Sequence, residues 1–140
     1  MSEVRTIVDL YDYIVEGVRE GMAKEPEAQP FIIVFVRNGK PSIIPEELIK
    51  LVDRNDLPQV LRETAKIGNY DHVIIIAESI MQDLERKTTT KGVSVLIDGD
   101  FERTTVIYRG QDGRPSGEEF IPPQANTGFF SNLVQRSAVN

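Results

Sequence analysis

The sequence predicts an α+β fold: a single antiparallel β-sheet of about five strands with helices packed on it, in the element order α-β-β-α-β-β-β. Three observations predict it. An amphipathic stretch comes first, and two continuous runs of β-branched and aromatic residues, 31–36 and 73–77, stand on either side of a second helical pattern. The strand-like segments after the second run are joined by connections too short for a crossover, which forces antiparallel pairing. At 140 residues, with 40% hydrophobic and 27% charged side chains, the chain suits one core. Residues 1–121 are expected to form a single α+β domain, and residues 122–140 an irregular C-terminal tail.

From Glu3 to Met22 the apolar positions Val4, Ile7, Val8, Tyr11, Ile14, Val15, Val18 and Met22 step by threes and fours, the mark of a helix with one buried stripe. Ser2 can cap its first turn. Pro26 and Pro30 forbid helical backbone in the residues before them, so 25–30 reads as a linker. Residues 31–36 are too few for a helix and apolar on both sides of a pleat, which predicts a central strand buried on both faces. Asn38-Gly39 is a strong two-residue hairpin signal, with 42–44 as the returning strand.

Pro45 suits the first position of a helix, and Glu46 and Glu47 suit its first turn. Leu48, Leu51 and Val52 give a short stripe. Asp56 can cap a further segment with Leu57, Val60, Leu61, Thr64 and Ala65, stopped by Gly68, so this region reads as one helix kinked or split in two. Residues 73–77 are a second doubly buried strand, extending toward Met81. Residues 82–91, polar and threonine-rich, read as a mobile connection with a helical turn at 82–86. Strands at 93–97 and 104–108 flank a turn at 98–103, glycine-rich 110–117 reads as a loop, and 118–121 as a short strand.

This order of elements resembles that of profilin-like domains, including the roadblock and longin groups, and the resemblance implies a five-stranded antiparallel sheet carrying helices. The stretch from Val73 to Tyr108, with Ala77-Glu78-Ser79 ending one strand and a turn-linked pair after it, resembles uncharacterised small bacterial and phage proteins, as does Gly128-Phe129-Phe130-Ser131-Asn132-Leu133. That second resemblance implies no activity.

Composition removes several function classes. Without cysteine there is no disulfide, no thiolate catalysis and no cysteine-based zinc site. A net charge of −6 repels a phosphate backbone, which disfavours nucleic acid as a partner, and the basic cluster of Arg86, Lys87 and Lys91 reads as a solvated loop. No apolar run approaches the ~20 residues of a membrane span, and the first residues lack the plan of a signal peptide. The expectation is a cytoplasmic chain with no membrane partner and no cofactor, since the glycines of 110–117 lack the Gly-Lys-Ser/Thr ending of a phosphate cradle.

Few residues can carry chemistry. His72 is the only histidine and stands beside Asp71, a place for a general base; a local bond to the backbone is the simpler expectation. Ser79 lacks the surroundings of a nucleophile elbow. Asp98, Asp100 and Glu102 alternate like the start of a calcium loop, but Arg103 stands where glycine is needed and Arg109 where a bidentate glutamate is needed, so a hairpin turn is expected there. Oxygen ligands at these three would favour magnesium, calcium or manganese. Glu78, at a strand end, is expected in water. In the irregular tail, Phe129 and Phe130 are the candidate partner-binding pair.

The functional expectation is a non-enzymatic protein-interaction or regulatory module, self-associating as a homodimer or binding a protein partner. The alternative is a small-molecule-binding enzyme or sensor with a pocket near Asp71, His72 and Glu78.

Overall fold

A computed structural model of the chain describes residues 6–121, apart from 84 and 86. The tail over 122–140, with Phe129 and Phe130, lies outside the described residues, and so do Ser2 and Arg86. The first helix, α1 (Ile7–Lys24), starts later than the apolar periodicity suggested. Its cap is Thr6 rather than Ser2: the Thr6 side chain accepts the Asp9 N–H at 3.1 Å. Asp9 in the first turn and Lys24 in the last complement the helix dipole.

Beyond the linker, β1 (Phe31–Arg37) and β2 (Lys40–Ile43) form a hairpin through Asn38 and Gly39, whose φ angles of 52° and 76° are the positive pair a type I′ turn requires. So tight a turn starts pairing at once, at Arg37 and Lys40, which moves β2 two residues toward the turn from the expected 42–44. Pro45 precedes α2 (Glu46–Lys50) as its cap residue, one position before the expected one. A separate α3 (Leu57–Ile67) follows, so the helical region is split. Gly68 ends α3 with φ −85°, and the left-handed residue is Asn69 at 53°.

The remaining strands are β3 (His72–Asp83), β4 (Thr88–Gly99), β5 (Arg103–Arg109) and β6 (Pro115–Ile121). All six strands join one sheet in the order β2-β1-β3-β4-β5-β6, every pair antiparallel. The α+β class stands as expected, with six strands in place of about five. β1 is second from an edge, and β3 and β4 hold the centre. The expected connection over 82–91 is corrected: the β3–β4 ladder runs on to the pair Asp83 and Thr88. Three successive β-branched threonines, Thr88 to Thr90, favour extended backbone and carry the ladder outward. β6 likewise starts at Pro115, at a register shift beside Tyr108 and Arg109, on an edge where a missing N–H is tolerated.

Alternate residues of β1 and β3 feed two opposed cores. On one face Val34, Val36, Ile74 and Ile76 pack with Val93, Val95 and Ile97 under Leu10, Tyr11, Val15 and Met22 of α1. On the other, Ile33, Phe35, Val73 and Ile75 pack under Leu57, Leu61 and Ala65 of α3. Both strands are therefore buried on two faces, as their uninterrupted apolar sequence predicts. None of the described helices is long and apolar enough to cross a membrane.

Candidate functional site

Hydrogen bonds fix where α1 lies. Tyr11 is fully buried, and its hydroxyl bonds the Val95 carbonyl of β4 and the Thr105 hydroxyl of β5, each at 2.6 Å. Burial pushes the Tyr11 hydroxyl up to about 12. Farther along, Arg19 grips the Glu118 carboxylate of β6 at 2.6 and 2.8 Å, which raises the Arg19 pKa. α1 thus covers the β4–β6 side of its face. On the β1–β2 side Val34 and Val36 are still buried in the cluster under α1, and what stays open is Ile32 and the edge strand β2 with Ile43.

The result is an apolar trough of about 560 Å³ between the flank of α1 and the pair β1–β2. Leu10, Ile14, Gly17 and Gly21, spaced by fours and threes, form the helical wall. Ile32, Val34 and Ile76 form the floor, with Pro41 and Ile43 on the edge strand. Large apolar side chains stand open here: Tyr13 is 64% exposed and Ile43 69%. A Cβ added at Gly17 or Gly21 would meet nothing within 4 Å, so the helical wall has room in front of it. From Leu10 to Glu25 the wall runs about 22 Å at 1.5 Å per residue. Asp9, Glu16 and Glu20 are exposed along the outside of α1, with Glu16 ion-paired to Arg19.

The residues singled out from sequence lie elsewhere. His72 is buried, its Nδ1 2.7 Å from Asp71 Oδ1 and its Nε2 accepting the Phe101 N–H at 3.1 Å. An accepting Nε2 places the ring proton on Nδ1, which donates it to the carboxylate. Asp71 Oδ2 accepts the Asn38 N–H at 2.9 Å. The pair ties together the β1–β2 turn, the start of β3 and the β4–β5 turn, and both ring nitrogens are engaged in doing so.

Glu78 lies six residues farther along β3, about 20 Å from His72 at 3.3 Å per residue, so the structure does not gather Asp71, His72 and Glu78 into one pocket. Nor does Glu78 end in water. β3 does not surface there but runs on to Asp83, and Glu78 forms a two-pronged ion pair with Arg109 at 2.9 and 3.0 Å, its side chain only 20% exposed. Arg109 also donates to the carbonyls of Pro26, Gly113 and Ala28, each at 2.7 Å. All five guanidinium N–H donors are then used. A polar depression of about 650 Å³ lies over this pair, between Gln29, Lys91 and Gln111.

Asp98 is buried in β4 opposite Val73, whereas Asp100 is exposed in the turn and Glu102 is half-buried. Among the described residues no group of three or more acidic or histidine side chains is placed to hold a metal ion. Two features escaped sequence reasoning: the hub at Arg109, whose acidic partner is 31 residues away, and the trough. No protein-family model matches the chain, and no curated protein or solved structure matches it.

Proposed function

We infer that this chain is a non-enzymatic protein-interaction module whose docking surface is the trough between α1 and the β1–β2 edge. One observation carries the reading: an apolar channel on an otherwise well-packed face, with Ile43 69% exposed at its rim. Apolar surface left contiguous and open is stabilised by a partner that removes it from water. The trough is one helix wide, because helices pack at 8–10 Å and the vacant strip spans two strands about 4.8 Å apart plus the flank of α1. Its occupant is an amphipathic helix. The exposed carboxylates of Asp9 and Glu20 beside it favour an occupant that is neutral or basic on its polar side.

The small-molecule alternative has less support. Asp71 and His72 are engaged with one another and with backbone N–H groups, and Arg109 has no donor left to offer a ligand.

Peptides selected from a helix-biased random library against the purified chain test the reading. Their binding should weaken at least about tenfold with Ile43→Glu or Gly17→Leu, and stay within about twofold with Ile67→Glu in α3 on the opposite face. Selected peptides that ignore both trough substitutions would overturn it.

A further inference from the structure

We propose that the free edge of β6, from Ser116 to Ile121, takes an extended segment of a partner protein as a further strand, with a basic side chain opposite Glu119. This surface is independent of the trough and lies at the other edge of the sheet.

The two edges are built differently. β2 is four residues long. Its two-residue turn makes Arg37 and Lys40 a hydrogen-bonded pair, and the Ile44 N–H reaches the Ile33 carbonyl at 2.9 Å, so Lys40, Ser42 and Ile44 spend their backbone groups on β1. Pro41 and Ile43 face outward instead, and Pro41 has no N–H to offer. A short strand with proline and lysine is how sheets commonly blunt an edge. β6, in contrast, runs from Ser116 to Ile121 without proline or lysine, about 20 Å of strand, and its register shift lies before this stretch. Among the described residues nothing pairs with its outer side, and Ser116 to Phe120 are exposed. Alternate residues therefore present their N–H and C=O groups outward, where an added strand gains its affinity from main-chain hydrogen bonds.

The side chains along the edge say which strand fits. Glu118 and Glu119 oppose Ile107 and Val106, and so point to opposite faces. Glu118 is held by Arg19, which it shares with Glu16. Glu119 is held by the Tyr108 hydroxyl at 2.6 Å, a neutral donor that does not offset its charge. A lysine or arginine directly across from Glu119 complements it. On the other face Phe120 is 61% exposed and lies 4.7 Å from the Arg103 guanidinium, which makes it a fixed platform for an apolar neighbour. A Cβ at Gly117 would meet nothing within 4 Å, so an aromatic side chain from the added strand has room above it.

A second copy fits this edge poorly. Opposed residues of an antiparallel pair share a face, so registers differ by slides of two residues. The register that pairs the whole of β6 with itself sets Glu118 against its own copy. A slide one way sets Glu119 against its own copy, and a slide the other way spends the ladder on Pro115. Like charges directly opposite are destabilising, and a proline cannot donate.

The probe is an acetylated and amidated hexapeptide, Thr-Val-Lys-Thr-Tyr-Thr, whose valine, lysine and tyrosine would oppose Phe120, Glu119 and Gly117 in an antiparallel pair. Titrated into the isotope-enriched chain, it should shift the β6 amides and slow solvent exchange at alternate residues of 116–121, leaving Ile43 on β2 unchanged. The same peptide with glutamate in place of lysine should bind at least about tenfold more weakly, and Glu119→Lys should narrow or reverse that gap while the resonances of β3 and β4 show the fold intact. Equal binding of the two peptides to the parent chain would overturn the proposal, as would shifts confined to Ile32 and Ile43, which would place the peptide in the trough. Exchange protection at β6 that appears without peptide and grows with protein concentration would also overturn it, by assigning the edge to a second copy.

Discussion

The two halves of the α1 face are made of the same material and end differently. Over β3 and β4, Ile74, Val95 and Ile97 lie under Tyr11 and Val15 and are 0% exposed, while toward the β2 edge Ile32 and Ile43 are 37% and 69% exposed. Six strands at about 4.8 Å make a face about 24 Å wide, and one helix covers about 10 Å of it. α2 and α3 go to the opposite face, so nothing else among the described residues covers the second half. The difference teaches that patterning decides which side chains need cover, whereas topology decides whether the same domain supplies it.

The largest effect should come from removing the covered half's anchor. Tyr11→Ala is expected to cost about 3 to 5 kcal/mol in chemical denaturation, the range for a fully buried aromatic. Paired substitutions sharpen the contrast: Ile74→Ala should cost about 2 to 5 kcal/mol, and Ile43→Ala should stay within about 0.5 kcal/mol. Equal costs at the two isoleucines would break the comparison.

Alkaline pH probes the same anchor. Buried Tyr11 titrates at about 12, against about 10 in an unfolded chain. Between those values the unfolded state has shed a proton that the folded state keeps, so stability falls as pH rises through this window, by up to roughly 2 to 3 kcal/mol. Thermal unfolding followed from pH 8 to 12 should show the decline, and Tyr11→Phe should flatten it. The smallest effect belongs to the open half: Gly17→Ala should raise stability by about 0.5 to 1 kcal/mol, because a helical glycine with nothing before its Cβ carries only its entropic cost. A loss of stability there would mean that Gly17 meets a constraint other than its own backbone entropy.

Much of the fold was legible in the sequence where a local rule sufficed. The run Ile32 to Val36 and the Asn38-Gly39 turn required only pleat alternation and positive φ. Legibility failed where partners decide. Thr88 to Thr90 read as a connection because polar residues form a strand there only once Met81 to Asp83 pair with them. Glu78 read as solvated because nothing near it in sequence announces Arg109. His72 was recognised as a candidate, yet its role as a staple depends on Asn38 and Phe101, both about thirty residues away. The trough was invisible for a related reason: Leu10, Ile14 and Val18 have the periodicity of a core stripe whether or not anything lies against their flank.

The Tyr11 hydroxyl also bears on the order of folding events. From β3 to β6 each strand pairs with the next along the chain, so that meander closes through short loops, whereas the bond between Tyr11 and Thr105 closes one of 94 residues. Loop-closure entropy grows with length, and the contact that encloses the most chain is favoured late. Tyr11 is then a latch set after the barrier has been crossed: substituting it should leave the refolding rate nearly unchanged and appear almost wholly as faster unfolding.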